Sequence, residues 1–294
     1  MAYIVLCICF NILIFIAYRG FGTYKINNLQ GLVFNYWVCV ITGFVALNLM
    51  GESTQIDFTK PWFYVAVGCG AVFITGSYTA ALVTQKFNIT ISSISYKMSL
   101  AIPVLFSLFV LNTGTKVFDS LNYAGLGLAL AAIVMSSKKS SSDEISSGKR
   151  GSTYLLPILL FLIAGFIDVV INFTNIELLQ EHEGGVFTLV AFASAAVIGT
   201  MMILFKRQKI ARRSVVGGIV LGVPNYLSVF FTIKSLSAFD NNGALIFPLL
   251  NIGIIVCSSL VSVVLYKERL EKMNQLGIAV SLLSLILISY QEIF

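Results

Sequence analysis

Polar breaks divide the 294 residues into about ten apolar stretches, running approximately 2–18, 31–50, 61–85, 90–111, 118–136, 153–176, 186–205, 214–235, 242–266 and 273–290. At ~1.5 Å of rise per helical residue, such stretches are long enough to cross ~30 Å of hydrocarbon. They lack the strict alternation of a lipid-facing barrel strand, and only helices satisfy their own backbone hydrogen bonds in lipid at these lengths. The pattern predicts an all-α integral membrane protein with ten transmembrane helices.

Composition agrees. Hydrophobic residues make up 57% of the chain and charged residues 11%, and the mean hydropathy is +0.91. That leaves too little polar surface to wrap a soluble globule. The net charge of +6 does not indicate a nucleic-acid partner, because the basic residues sit in the breaks rather than on one face. Membrane lipids are the expected surroundings. The five cysteines, Cys7, Cys9, Cys39, Cys69 and Cys257, all fall in apolar stretches without metal-type spacing, so they read as small packing residues.

Lys and Arg set the expected orientation. Odd-numbered loops hold Arg19 and Lys25; Lys86; Lys138, Lys139, Lys149 and Arg150; Lys206, Arg207, Lys209, Arg212 and Arg213; and Lys267, Arg269 and Lys272. Even-numbered loops carry Lys60, Lys116 and, at a helix edge, Lys234. Odd loops are therefore expected in the cytoplasm and both termini on the other side, in a bacterial inner membrane. The first stretch is followed rather than preceded by its basic residue, the reverse of a cleavable signal peptide, so it is expected to remain as a helix.

The longest polar connection, rich in Ser, Gly and charge, divides a first five-helix unit (1–136) from a second (153–294) through a linker at 137–152. An odd number of helices per unit makes the two copies oppositely inserted, an inverted repeat. The repeat is clearest where Asn122-Tyr123-Ala124-Gly125 opens the fifth stretch and Asn274-Gln275-Leu276-Gly277 opens the tenth, 152 positions later. Small residues recur along both, and close packing of each helix against its neighbours is the plain explanation.

The segment "SSLVSVVLYKERLEKMNQLGIAVSLLSLILIS", with Glu268 after an apolar helix and Gly277 opening the next, resembles the close of an EamA-type half in the drug/metabolite transporter superfamily. "SYKMSLAIPVLFSLFVLNTGTKVFDSLNYAGLGLALAAIVM", with Pro103, is similar to the same pattern in the first half. Two departures stand out: Lys116 occupies the position matching Glu268, and Pro248 falls about seven positions before the site matching Pro103. The resemblance implies a ten-helix carrier working by alternating access. Its cavity would be lined by the third, fourth, eighth and ninth helices, with the first and sixth beside them.

Lys97 is the sharpest single clue. An ammonium at mid-membrane costs about 2.5–3.5 kcal/mol on insertion scales, so it is expected to face a wet cavity or an anionic partner. Snorkelling to the interface and a structural ion pair are the competing explanations. Asp168 is the only acid deep in an apolar stretch, and there a carboxylate either takes part in proton coupling or provides a fixed counter-charge. By depth along the helices Lys97 lies nearer the cytoplasmic end and Asp168 nearer the outer one. Asn11, Tyr36, Tyr78, Asn225, Tyr226, Asn251 and Ser99 complete a substrate-binding set; Asn251 matches Ser99 by the 152 offset, and Tyr78 matches Tyr226 with a four-residue gap. Asn35 and Trp37 lie beside Tyr36. Each of these also serves elsewhere as interhelical glue or an interface anchor.

Pro103, Pro224 and Pro248 fall inside apolar helices and each frees a backbone carbonyl. The run Asp240-Asn241-Asn242-Gly243 reads as a helix cap, the basic loop from Lys206 to Arg213 as an orientation signal, and His182, between two glutamates, as a solvated side chain. No nucleotide loop, metal-ligand cluster or nucleophile motif is present, so neither an enzyme nor a cofactor is expected. The reading is a secondary transporter for a small polar or anionic metabolite. A lipid-linked substrate flippase or membrane scaffold is the alternative, and a lateral opening lined by basic residues would distinguish it.

Overall fold

Asn27 accepts a hydrogen bond from the Gln30 amide (3.2 Å) and so starts the second helix three residues before the apolar run begins. Asn88 does the same for the fourth helix through the Ile91 amide (2.7 Å). Asp119 opens the sixth helix with a reciprocal capping box to Asn122, and Pro61 occupies a first-turn position where its missing N–H costs nothing.

A computed structural model of the chain describes residues 1–51, 54–106, 119–137, 155–180, 183–239, 243–268 and 270–293. The helices are α1 (Ala2–Thr23), α2 (Asn28–Leu49), α3 (Pro61–Lys86), α4 (Ile89–Lys97), α5 (Ala101–Phe106), α6 (Ser120–Ser136), α7 (Leu155–Glu177), α8 (Gly184–Phe205), α9 (Arg212–Ser237), α10 (Gly243–Val264) and α11 (Lys272–Ile293). A 3-10 turn, Met98–Leu100, separates α4 from α5. Among the described residues there is no strand. Among the described residues, nine spans are long and apolar enough to cross a membrane, with α4, the turn and α5 forming one of them; α6, at 17 residues, is shorter. The chain is a membrane-embedded all-α protein. Lys116, His182, most of the 137–152 linker and Asp240 to Asn242 lie outside the described residues.

The fourth span is broken where the sequence analysis expects a continuous helix with Pro103 inside it. Pro103 has no N–H to offer the carbonyl four residues back, that of Ser99, and the turn at Met98–Leu100 is the local result. The first helix is also longer than the apolar run. It continues to Thr23, so Arg19 lies inside α1 rather than in the following loop.

The chain passes back and forth between two ends. At one end, Arg19 near the close of α1 meets the last carbonyls of α3 and the loop after α10. Gln30 at the start of α2 meets Lys209 before α9, and Asn274 at the start of α11 meets Ser136 at the close of α6. This is the basic end. At the other, Lys60 before α3 pairs with Glu183 before α8, and Tyr290 donates to Asp119.

The most extensive buried cluster is shared by α1, α2, α3, α4, α7, α9 and α10 and includes Phe21, Leu32, Ala81, Ile89, Leu160, Leu221 and Ile254. A second core joins α4, α6, α10 and α11 through Ile94, Ala129, Ile255 and Leu285. Because lipid tails are as apolar as leucine, tight association within a membrane relies on small residues and interhelical hydrogen bonds. The antiparallel pair α6 and α11 has both. A Cβ on Gly125 would lie 2.9 Å from the Ile288 nitrogen, and one on Gly277 2.7 Å from that of Ser136. Asn122 Nδ2 donates to the Leu287 (3.1 Å) and Ile288 (3.0 Å) carbonyls, and Asn274 Nδ2 to that of Ser136. The same closeness joins α3 to α8 at Gly70 and α9 to α2 at Gly222, where an added Cβ would meet the Ala195 nitrogen at 2.5 Å and the Asn35 carbonyl at 2.8 Å.

Candidate functional site

Lys97 ends α4 at the break in the fourth span, partly buried. Its Nζ donates to Asn11 Oδ1 at 3.0 Å and stands 5.2 Å from the centre of the Tyr96 ring, a cation–π distance. Asn11 is held in turn by its own helix, donating through Nδ2 to the Cys7 carbonyl at 2.9 Å. Cys7 Sγ lies 3.1 Å from Thr232 Oγ1. A polar string thus runs from α4 through α1 to α9 inside the bundle.

Asp168 approaches the same break from α7. Ser99, in the 3-10 turn, places its Oγ 3.0 Å from Asp168 Oδ2 and 2.6 Å from the Tyr96 carbonyl. Asn251 Nδ2 of α10 donates to the Lys97 carbonyl at 3.3 Å. Among the described residues, no carboxylate oxygen lies within 4.0 Å of Lys97 Nζ; the ion pairs present are Arg19–Glu268 and Lys60–Glu183. Lys97 and Asp168 therefore flank one turn without forming a direct salt bridge.

Five of the sequence-predicted residues, Lys97, Asn11, Ser99, Asp168 and Asn251, meet at this break. The others do not. Tyr36 is buried and donates to the Phe73 carbonyl at 2.8 Å, with Ser77 Oγ at 2.7 Å, tying α2 to α3. Asn225 Nδ2 donates to Asn35 Oδ1 at 3.1 Å, tying α9 to α2. Tyr226 packs over Gly43 of α2. Tyr78 lines a crevice of about 520 Å³ that opens at the basic end between α3, the α1–α2 turn and the start of α9. Tyr78 and Tyr226, which match in sequence, thus occupy different surroundings. Of the cysteines, Cys7, Cys39 and Cys69 are buried, Cys7 as a link in the polar string rather than as a packing residue alone, whereas Cys9 is exposed.

Two features were not legible as site residues. Tyr96 carried no signal beyond its place before Lys97. Arg19 was counted only as a loop charge, yet it organises the basic end. Its Nη1 donates to the Thr84 and Gln85 carbonyls at 3.2 Å each, and its Nη2 pairs with Glu268 Oε1 at 2.8 Å. The guanidinium lies 5.9 Å from the Tyr266 ring centre, and Ser262 donates to the other oxygen of Glu268. One side chain therefore caps the orphan carbonyls of α3 and clamps the α10–α11 connection. At the opposite end, burial favours the neutral form of Glu183, but Lys60 and the Gln180 amide outweigh it and hold the carboxyl below its ordinary range.

A second hollow, of about 330 Å³, lies between α3 and α7 and is lined by Val65, Gly68, Cys69, Val72, Phe166, Ile167 and Val170. It contains no charged side chain.

No family model matches the sequence. An uncharacterized protein of Haemophilus influenzae is 27% identical over 272 residues, covering 90% of this chain and 87% of that protein. A crystal structure of a protein with 14% sequence identity superposes with a TM-score of 0.64 over 99% of this chain and 99% of that one. The latter similarity is one of fold: the whole helical arrangement, from first to last helix, is shared with a solved structure.

Proposed function

We propose that this protein is a secondary transporter that moves a small polar or anionic metabolite across the membrane by alternating access, built as ten spans in two inverted five-helix repeats. The observation that carries the reading is Lys97: a cation in the interior of a membrane bundle, at a helix break, held by a neutral amide and with no carboxylate within ion-pair reach among the described residues. A structural lysine in such a place would be expected to be neutralised by a partner. One left with a neutral ligand is available to an anionic group.

The repeat is supported by contacts that recur at one offset. Asn122 to Ile288 and Asn274 to Ser136 are the same bond shifted by 152 positions, as are the glycine contacts beside them. Gly70 and Gly222 are related by the same shift. α6 of 17 residues then counts as the tenth span, crossing about 25 Å at ~1.5 Å per residue. Orientation follows the charge asymmetry: the basic end faces the cytoplasm of a bacterial inner membrane and the termini face away.

Asp168 is the coupling residue in this reading. Ser99 has one hydroxyl proton and two acceptors in reach, the Tyr96 carbonyl and Asp168. Both contacts are complete when Asp168 itself carries a proton and donates it to Ser99 Oγ. A carboxyl that exchanges this proton as the turn rearranges would link the break in the fourth span to a proton gradient. Against the flippase alternative, the hollow between α3 and α7 offers nothing cationic to a headgroup among its described lining; the cations available to one, Lys25 and Arg213, line the crevice at the basic end. The test is a thermal-shift screen of purified protein against amino acids, sugars, nucleotides and organic anions, since a ligand binding only the folded form raises its stability. Stabilisation by an organic anion that is weaker in Lys97→Ala than in wild type supports the reading. Stabilisation that is equal in both contradicts it.

A further inference from the structure

The crevice at the basic end is walled by polar side chains whose needs are unequally met. Asn28 and Gln85 satisfy one another, with Gln85 Nε2 donating to Asn28 Oδ1 at 2.8 Å and to the Tyr18 carbonyl at 3.2 Å. Asn27 accepts the Gln30 amide as a helix cap. The two cations that line the same space, Lys25 and Arg213, are exposed and have no carboxylate within 4.0 Å among the described residues. Among the described residues, no acidic side chain is part of the lining. The unmet chemistry of the crevice is therefore positive charge.

Both cations stand where local physics favours something else. Lys25 has a φ of 50°, in the left-handed region. It closes α1 in a turn where the Ile26 amide donates to the Phe21 carbonyl (2.8 Å) and the Lys25 amide to that of Gly22 (3.3 Å), a geometry that glycine adopts without strain. Arg213 lies in the first turn of α9, at the positive end of that helix's dipole, where the cap residue Ala211 provides no side-chain acceptor. A charge rule alone is satisfied by a basic residue anywhere in these loops; it does not ask for these two positions. The floor of the crevice is Tyr78, eight residues before the end of α3, and Lys97 is eight residues into α4. At ~1.5 Å per residue both lie about 12 Å below the basic end.

We propose that this crevice is a docking vestibule for a compact anionic group, a phosphate or carboxylate, held by Lys25 and Arg213 above Tyr78. The anion is carried either by a small soluble solute or by a lipid headgroup. Its volume of about 520 Å³ falls in the ordinary range for small-molecule sites. Only its place on a path toward Lys97 rests on the transporter reading; the binding itself does not.

The test is calorimetric titration of the full-length protein with inorganic pyrophosphate in nanodiscs of phosphatidylcholine, repeated in discs containing phosphatidylglycerol. Wild type is expected to bind, with affinity falling as salt rises. Lys25→Gly and Arg213→Gln are each expected to bind about tenfold more weakly, the loss for one charge-assisted contact. Lys25→Gly also relieves the backbone, so its thermal midpoint is expected to equal or exceed that of wild type, which separates lost binding from misfolding. Lys97→Ala, which removes the deeper anion partner, is expected to lose less pyrophosphate affinity than Lys25→Gly or Arg213→Gln even where it fails to transport, so the two proposals fail separately. Binding in phosphatidylcholine that is lost with phosphatidylglycerol identifies a headgroup as occupant, and binding retained in both identifies a soluble solute. Equal affinity in wild type, Lys25→Gly and Arg213→Gln, absence of binding by wild type in phosphatidylcholine discs, or a loss in Lys97→Ala as large as in Lys25→Gly overturns the proposal.

Discussion

Asn122 and Asn274 do the same work on opposite sides of one helix crossing. Each caps its own helix, accepting from the Asp119 amide in one case and the Glu271 amide in the other, both at 3.1 Å. Each then donates its side-chain amide across the crossing, Asn122 to Ile288 and Asn274 to Ser136. Every residue in the second set lies 152 positions from its counterpart in the first. Asn122→Ala and Asn274→Ala are expected to destabilise the protein by comparable amounts, about 0.6–1.7 kcal/mol each. Gly125→Ala and Gly277→Ala are expected to cost about 1–3 kcal/mol by forcing the backbones apart. Thermal unfolding in detergent measures all four, and a large effect on one side of the crossing with none on the other would contradict the reciprocity.

Arg19 is expected to be replaceable only in part. Arg19→Met leaves the Thr84 and Gln85 carbonyls without their donor and Glu268 without its partner. The expected loss is about 2 kcal/mol, since the pair is partly open to solvent. Arg19→Lys keeps the charge but not the planar fork that reaches three acceptors. Its melting temperature is therefore expected between those of wild type and Arg19→Met, and a value equal to wild type would reduce the network to simple charge pairing.

Asp119 gives a pH signature outside the spans. Hydrogen bonds from Tyr290, Asn122 and Leu121 outweigh its desolvation and hold its carboxyl below the usual aspartate value. A group whose folded pKa is depressed contributes stability that is fully present above the ordinary value, about 3.9, and is lost as pH falls through the folded one. The melting temperature is thus expected to drop as pH is lowered from about 5 to 3. Asp119→Asn keeps a competent cap and is expected to flatten that drop. An unchanged pH profile in this variant would show that the contact contributes nothing.

Asp168→Asn is expected to uncouple flux from pH. The amide still offers a donor to Ser99 but cannot exchange a proton. Downhill movement of cargo in proteoliposomes is expected to continue while its acceleration by an imposed proton gradient disappears. Full acceleration in the variant would remove Asp168 from the coupling role.

Hydropathy made the helical membrane class and the positions of nine apolar spans legible, because each depends on local runs of residues. The small residues of α6 and α11 marked both as closely packed helices, but that they pack against each other came only from the structure. Arg19 was misplaced for a physical reason: an apolar window ends at the first charge, whereas the α1 backbone continues helical to Thr23. The break beside Lys97 could have been read from Pro103, whose missing N–H acts four residues back. The sorting of Asn11 and Asn251 into the Lys97 cluster, and of Tyr36 and Asn225 into interhelical ties, was not in the sequence. All four are polar residues in apolar helices, and only the arrangement of the bundle decides which neighbour each one meets.

Lys97 carries the account, and uptake of labelled organic anions into proteoliposomes tests it most directly. Wild type is expected to accumulate a member of that class, and Lys97→Ala to accumulate none while keeping its expression and melting temperature. Equal uptake by the two proteins would contradict the account.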